Sequence, residues 1–446
     1  MSNSLTAKCF SLVATGCAGF LLSGAVSAAT LDQALVQAWQ NNPTLMSERD
    51  TLAPADSQLG AAEGGYYPQV KLFGGVGTAH QGVNFMAIPG FQLPVSYVVL
   101  NTREIGVEAD QALYQGGRIS AGTDAAQHER DAEEAKLHAI EQDVLLTTTQ
   151  VYMDVLQSQA VLALEQSNEK VLQEAQNQAQ ANFDNGEVTH TDVDQANARL
   201  AGAQAARIQA EGALAAAQAN YERIVGSLPD ALQQPAQLTD LPKSQDDALA
   251  LADHNYSVVA AELASAAAED KVDVAESSLK PSVELTAQVY KSTEPQFLFE
   301  HLDNRSIMLN FSMPLYSGGI LNSQLHTAQH QADSSAQQAL DARRQARDQA
   351  ISAWQGYQTA TAGLAAIQVQ IKAAQSAYDG VQAEHKEGER TTLDVLNAEQ
   401  ELLSAQVNQV RAQRDEIVAE YALKAATGVL TAADLKLPVG MQGSTH

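Results

Sequence analysis

Cysteine is almost missing from this chain of 446 residues, with Cys9 and Cys17 the whole supply. Two thiols in so long a chain make no disulfide framework, so packing has to hold the fold. Bases are scarce too, 26 against 53 acids, for a net charge of −27. That excess argues against nucleic acid or an anionic surface as partner, and fits either a solvated acidic exterior or an aqueous interior that favours cations. Beyond the first 29 residues no apolar run nears the roughly 18 that would span a bilayer, so no transmembrane helix is expected. Aromatics are only 5%, and ten histidines lie scattered without a nucleophile elbow, a metal-binding cluster or a nucleotide motif. An enzyme, a cofactor and a bound metal are therefore not expected. What is abundant is alanine, glutamine and glutamate, the composition of long helices with small seams.

Residues 1–28 read as a cleaved secretory signal: Lys8, an apolar run from Phe10 to Leu22, then the small residues Ala25-Val26-Ser27-Ala28. Both cysteines leave with it, and the loss of Lys8 takes the charge to −28.

The exported part is a duplicated unit. Gly186-Glu187-Val188-Thr189-His190-Thr191-Asp192-Val193 returns 202 residues later as Gly388-Glu389-Arg390-Thr391-Thr392-Leu393-Asp394-Val395. Tyr114-Gln115-Gly116-Gly117 returns at the same step as Tyr316-Ser317-Gly318-Gly319, and Gly226 as Gly428. Residues 29–226 form the first repeat, with a β-hairpin at 68–116 and a helical hairpin at 117–226. A proline-rich connector, 227–245, leads to the second repeat, 246–428, with a β-hairpin at 281–318 and a helical hairpin at 319–428. Residues 429–446 are a tail, and the connector is expected to lie on the outside.

The opening stretch Leu31–Glu63 reads as helix broken near Asn42-Pro43 and again near Pro54. After Pro68 the period changes to two. Val70, Leu72, Gly74 and Val76 alternate with Gln69, Lys71 and Phe73, and Ile105, Val107 and Ala109 alternate with Gly106, Glu108 and Asp110. The second repeat does the same through Val283, Leu285, Ala287 and Val289, and through Ile307, Leu309, Phe311 and Met313. Loops with aromatics, Phe85 to Tyr97 and around Phe297 and Phe299, join the strands. The greasy face meets either a second sheet in a soluble sandwich or lipid in a membrane barrel. Expected lengths of about 10 to 12 residues suit a tilted spanning strand, but four strands cannot close a barrel, so the membrane reading demands oligomerisation.

From Gly117 to Gly186, and again from Gly319 to Gly388, run 69 residues without proline. At 1.5 Å per residue each is a helix of about 100 Å, roughly three times the hydrocarbon thickness of a membrane. Apolar positions step by three and four through Leu137, Ile140, Val144, Thr148, Val151 and Val155, and through Leu364, Ile367, Ile371, Ala374, Tyr378, Val381 and His385. Leu396, Leu403, Val407, Val410, Ile417 and Tyr421 carry a seam back, as Leu200 and Ile208 do in the first repeat. The doublets Gly116-Gly117 and Gly318-Gly319 serve as strand-to-helix turns, without the further residues of a phosphate loop.

The motif from Phe183 to Thr189 with Asp192-Val193, its echo at Gly388 to Thr391 with Asp394-Val395-Leu396, the Tyr-x-Gly-Gly steps and the closing Ala426-Thr427-Gly428-Val429-Leu430 together resemble the TolC family of outer-membrane exit ducts. The resemblance implies a mainly α fold with membrane β: a homotrimer pools four strands per chain into a twelve-stranded barrel in outer-membrane lipid, continued by a coiled-coil helical barrel through the periplasm. It implies as partners a periplasmic adaptor (membrane fusion) protein and an inner-membrane ABC, RND or MFS pump, meeting the helix tips at Gly186, Glu187, Gly388 and Glu389. By the same resemblance Asp394 forms a constriction ring, the second ring position being Asn397 here, and Arg390, Thr191, Asp192 and His385 hold the tips shut. His385 stands where a tyrosine is frequent in the family, a departure that leaves open both this link and whether it makes the gate pH-sensitive. Asp192 and Asp394 also sit where a carboxylate simply favours a helix N-terminus. A periplasmic coiled-coil adaptor or a structural protein without a pore would explain the helices but not the strands. Protein secretion and drug efflux stay open alternatives.

Overall fold

The computed structural model describes residues 30–83, 96–296 and 299–437. The expected signal segment with Cys9 and Cys17, residues 85–95 of the first aromatic loop, Phe297 and the end of the tail lie outside these.

Helices α1 (Leu31–Asn41) and α2 (Pro43–Glu63) begin at side-chain caps. Thr30 and Gln33 bond reciprocally at the first, and Asn42 accepts from Thr44 and Leu45 at the second, with Pro43 at the first helical position, where its missing N–H costs nothing. The expected break at Pro54 does not occur: α2 runs through it. Pro54 is exposed while its neighbour Ala55 is buried, and packing of α2 on α3 outweighs the lost hydrogen bond.

The strands are β1 (Gln69–Val83), β2 (Ser96–Gln115), β3 (Ser282–Gln296) and β4 (Phe299–Ser312). At 14 to 20 residues they are longer than the apolar alternation suggested, because pairing continues past the end of the greasy run. Tyr97 and Phe299, expected in loops, belong to strands. All four form one antiparallel sheet in the order β1-β2-β3-β4, so the hairpins of the two repeats join through β2 and β3. Register puts Leu72 beside Val107 and Val289, and Ala287 beside Ile307, on one face; Lys71, Glu108, Gln288 and Ser306 share the other. On this polar face Gly106 has no room for a Cβ, which would lie 2.3 Å from that of Tyr290, and the Phe73 and Tyr290 rings meet across it at 6.2 Å.

Helices α3 (Arg118–Asp184) and α7 (Ile320–Lys386) are each 67 residues long. Helices α4 (His190–Val225) and α8 (Thr392–Ala426) return beside them; α5 (Gln245–Ala252) and α6 (Tyr256–Ser277) precede β3. The α4 seam differs from expectation. Ile208 is 59% exposed, and the buried stripe is Ala196, Ala203, Ala210 and Ala217 at strict seven-residue spacing. Alanine lets the two helix backbones approach closely, a pattern that a search for large apolar side chains misses.

The main core lies partway along α3, where Tyr152, Val155, Leu145 and Met153 meet Leu35 of α1, Tyr221 and Val225 of α4, Tyr421 of α8 and Leu430 of the tail. The connector is tied to this belt: the Tyr152 hydroxyl donates to the Gln233 carbonyl at 2.7 Å, and Glu420 accepts from the Leu238 N–H at 2.9 Å. Both the sheet and the helical layer are left with open edges. Among the described residues β1 and β4 have no outer partner, while α4 packs chiefly on α3 and α7 on α8 and α6. An open edge in lipid leaves backbone groups unsatisfied at several kcal/mol each, so the edges need neighbouring chains.

Candidate functional site

The two helical hairpins end in the same way. The Glu187 N–H bonds back to the Asn182 carbonyl at 2.8 Å and that of Gly186 to Phe183 at 2.9 Å; Glu389 bonds to Glu384 at 2.9 Å and Gly388 to His385 at 3.0 Å. This double closure needs a left-handed residue, supplied by Gly186 at φ 78° and Gly388 at φ 79°. A Thr-x-x-Asp box then starts each return helix. Asp192 accepts from the Thr189 N–H and hydroxyl at 2.9 and 2.8 Å, and Asp394 from those of Thr391 at 3.0 and 2.8 Å. The Thr189 and Thr391 bonds hold both carboxyls below the usual aspartate range, with Arg390 adding to the effect at Asp394. Both tips therefore stay anionic at neutral pH.

The tips converge on a cleft of about 560 Å³ lined by Asn182, Glu187, Asp192, His385, Thr391 and Leu393. Asp192 and His385, expected in one network, thus line one cleft. His385 Nδ1 donates to the Arg390 carbonyl at 2.8 Å, and Arg390 Nε donates to Glu384 at 2.8 Å within its own tip rather than to Asp192 or Thr191 of the same chain. Thr191 is exposed on the first turn of α4. One turn beyond Asp394, the Asn397 side chain accepts from Arg199 Nη2 at 2.7 Å, a bond from α8 to α4 that joins the hairpins. Sequence inspection missed Arg199, whose partner is 198 residues away, and Thr189 and Thr391, although the Thr-x-x-Asp spacing was there to be read.

At the other end of the molecule the doublets turn strand into helix, Gly116 and Gly117 at φ 64° and 93°, Gly318 and Gly319 at φ 63° and 86°. Gly116 is also confined: a Cβ would sit 2.7 Å from the Ser277 carbonyl oxygen. Above these turns the greasy sheet face is bare, with Leu72 74%, Val76 84% and Ile307 78% exposed. Water cannot be its surroundings at that scale. The opposite face is wet and bonded, Lys71 reaching Glu108 at 2.5 Å and Asp110 at 3.3 Å, and Gln288 donating to Glu108 at 3.1 Å. One side for lipid and one for water is the division of a barrel wall. Among the described residues no helix could cross a membrane and no group of side chains could hold a metal ion.

The profile of the family described as outer membrane efflux protein matches residues 34–227 and 249–429. The chain belongs to that family. It is 34% identical over 440 residues to the outer membrane efflux protein BepC of Brucella suis biovar 1 (strain 1330), covering 97% of this chain and 93% of that one. It is 24% identical to the outer membrane protein TolC of Escherichia coli (strain K12), over 94% and 86% of the two chains. Among solved structures, the outer membrane protein VceC of Vibrio cholerae superposes with a TM-score of 0.75 at 20% identity, over 89% and 96%. This efflux-family chain is thus a channel subunit. Four strands per chain enter a shared trimeric barrel in the outer membrane, and the helices extend into the periplasm as part of an exit duct.

Proposed function

We propose that the paired hairpin tips are the closed gate of this duct and its docking end. Asp394 lines the constriction with Asn397 beside it; Arg390, Asp192, Thr191 and His385 supply closing links; Gly186, Glu187, Gly388 and Glu389 meet a periplasmic adaptor that couples the duct to an inner-membrane ABC, RND or MFS pump. The observation that supports this is the convergence of both capped tips on one cleft at the far end of helices about 100 Å long, with Asp192 in its lining and Asp394 next in sequence to the lining residue Leu393. One carboxylate per chain at the two ring positions gives a trimer a weak cation-binding ring. Arg390 uses Nε on Glu384, and its remaining guanidinium nitrogens, which make no hydrogen bond among the described residues, would reach an adjoining hairpin. The cargo is small molecules expelled by efflux, supported by the near full-length likeness to a relative named for efflux.

Single-channel conductance in planar bilayers tests the gate. Arg390→Ser raises conductance and Asp394→Ala relieves block by divalent cations; unchanged conductance and unchanged block together sink the assignment. Complementation of a duct-deficient strain tests the cargo. Restored drug resistance is expected, and restored secretion of a protein without restored resistance overturns it.

A further inference from the structure

We propose that the outer rim of the barrel carries a binding site for the phosphate groups of outer-leaflet lipid. The described strand residues include four bases. Lys71 points to the polar face and is paired with Glu108 and Asp110. The other three, Arg103, Lys291 and Arg305, are exposed, lie on the greasy face by register, and make no ion pair among the described residues. In register they step diagonally across the sheet: Arg305 is level with Val289 and Val107, Lys291 with Ile105, and Arg103 with Thr293 and Val76. Arg103 is the first outward position beyond Ile105 on β2, Lys291 the first beyond Val289 on β3, and Arg305 the first beyond Ile307 on β4. On β3 and β4 the apolar run thus ends in a cation, and on β2 a cation interrupts it before Val99 and Tyr97.

The end concerned is the outer one. The long helices leave from Gln115 and Ser312, so that end of the sheet faces the periplasm, and the bases lie toward the opposite hairpin ends. The carboxylate on this stretch of the outward face is Asp303, register partner of Lys291, and three cations against one acid leave the patch basic on a chain whose net charge is −27. The overall charge had argued against any anionic surface; the strand register creates a local exception. Long basic side chains at the edge of an apolar band reach the headgroup level, and a guanidinium fork matches a phosphate bidentately. Three chains close the rim into nine such cations.

The test uses the purified full-length trimer in detergent, with binding of a bisphosphorylated glycolipid compared with its dephosphorylated form. At about 1 kcal/mol per base near a charged surface, three bases give a preference for the phosphorylated form on the order of a hundredfold. R103Q/K291Q/R305Q loses that preference, R103K/R305K keeps it, and Lys271→Gln on the periplasmic helix α6 leaves it intact. Should the triple variant fail to assemble, the three single substitutions each weaken the preference severalfold. Equal binding of the two lipids by the unaltered trimer, an unchanged preference in the variants, or displacement by millimolar inorganic phosphate alone overturns the proposal. The readout is independent of conductance, so the gate assignment stands or falls separately.

Discussion

The bond from Arg199 to Asn397 is a direct side-chain link between the two hairpins close to the tips, and its loss has a calculable effect. A charged donor at 2.7 Å from a neutral amide oxygen is well placed. The pair is exposed, so its net contribution is about 1 kcal/mol rather than the 1.5–3 kcal/mol of sheltered charge-assisted bonds. Threefold repetition multiplies the effect: roughly 3 kcal/mol favours the closed arrangement, a factor of about 150 in the opening equilibrium. Arg199→Ala and Asn397→Ala should each raise the time-averaged conductance of the trimer in planar bilayers, and the double variant should open no further than either single one, since both remove the same bond. The latch is refuted if Arg199→Ala leaves conductance unchanged, or if the two single effects add in full.

Three further outcomes follow from the structure. Gly428→Ala should destabilise the trimer more than Gly226→Ala, although both glycines have positive φ: each costs about 1–2 kcal/mol for the left-handed backbone, but at 428 the new Cβ also falls 2.9 Å from the Asn255 Cα, against 3.9 Å to the nearest atom at 226; the two thermal dissociation temperatures read the difference. Tyr152→Phe removes both bonds to Gln233 and should cost about 1–2 kcal/mol, detected as faster proteolysis within residues 226–244. His138 is raised above its ordinary 6.5 by its bond to Glu141, so its contribution is complete below pH 6.5 and fades as pH rises through the raised value; Glu141, lowered from 4.5 by His138 and Trp39 against its own burial, contributes above pH 4.5 and loses that as pH falls. The stability gap between the unaltered protein and His138→Gln should accordingly narrow from pH 6 to pH 9, and a gap that widens would contradict the pairing.

Much of the architecture was legible in the linear chain because it rests on periodicity and repetition. The 202-residue step, the period of two after Pro68 and Pro281, and two proline-free intervals between glycines are one-dimensional facts, and they dictated strands, long helices and turns without reference to any contact. The tip glycines were legible for the same reason: only a left-handed residue closes a helix in that way. Where the linear reading failed, a partner distant in sequence had decided the matter. Pro54 stays helical because α3 lies alongside, the α4 seam is alanine because a neighbouring backbone must come close, and Arg199 is an ordinary helical base until Asn397 is brought beside it.

What the order of residues determined alone is therefore the inventory: four staves, four long rods in two hairpins, two capped ends, and too few staves to close. Only the tertiary structure decided how the copies meet, β2 on β3 and α8 beside α3, and with that which charges share a face. The reason is physical. Periodicity fixes the direction of a side chain relative to its own backbone, whereas the charge or apolar surface it faces is fixed by packing between segments some 200 residues apart, which no local pattern encodes.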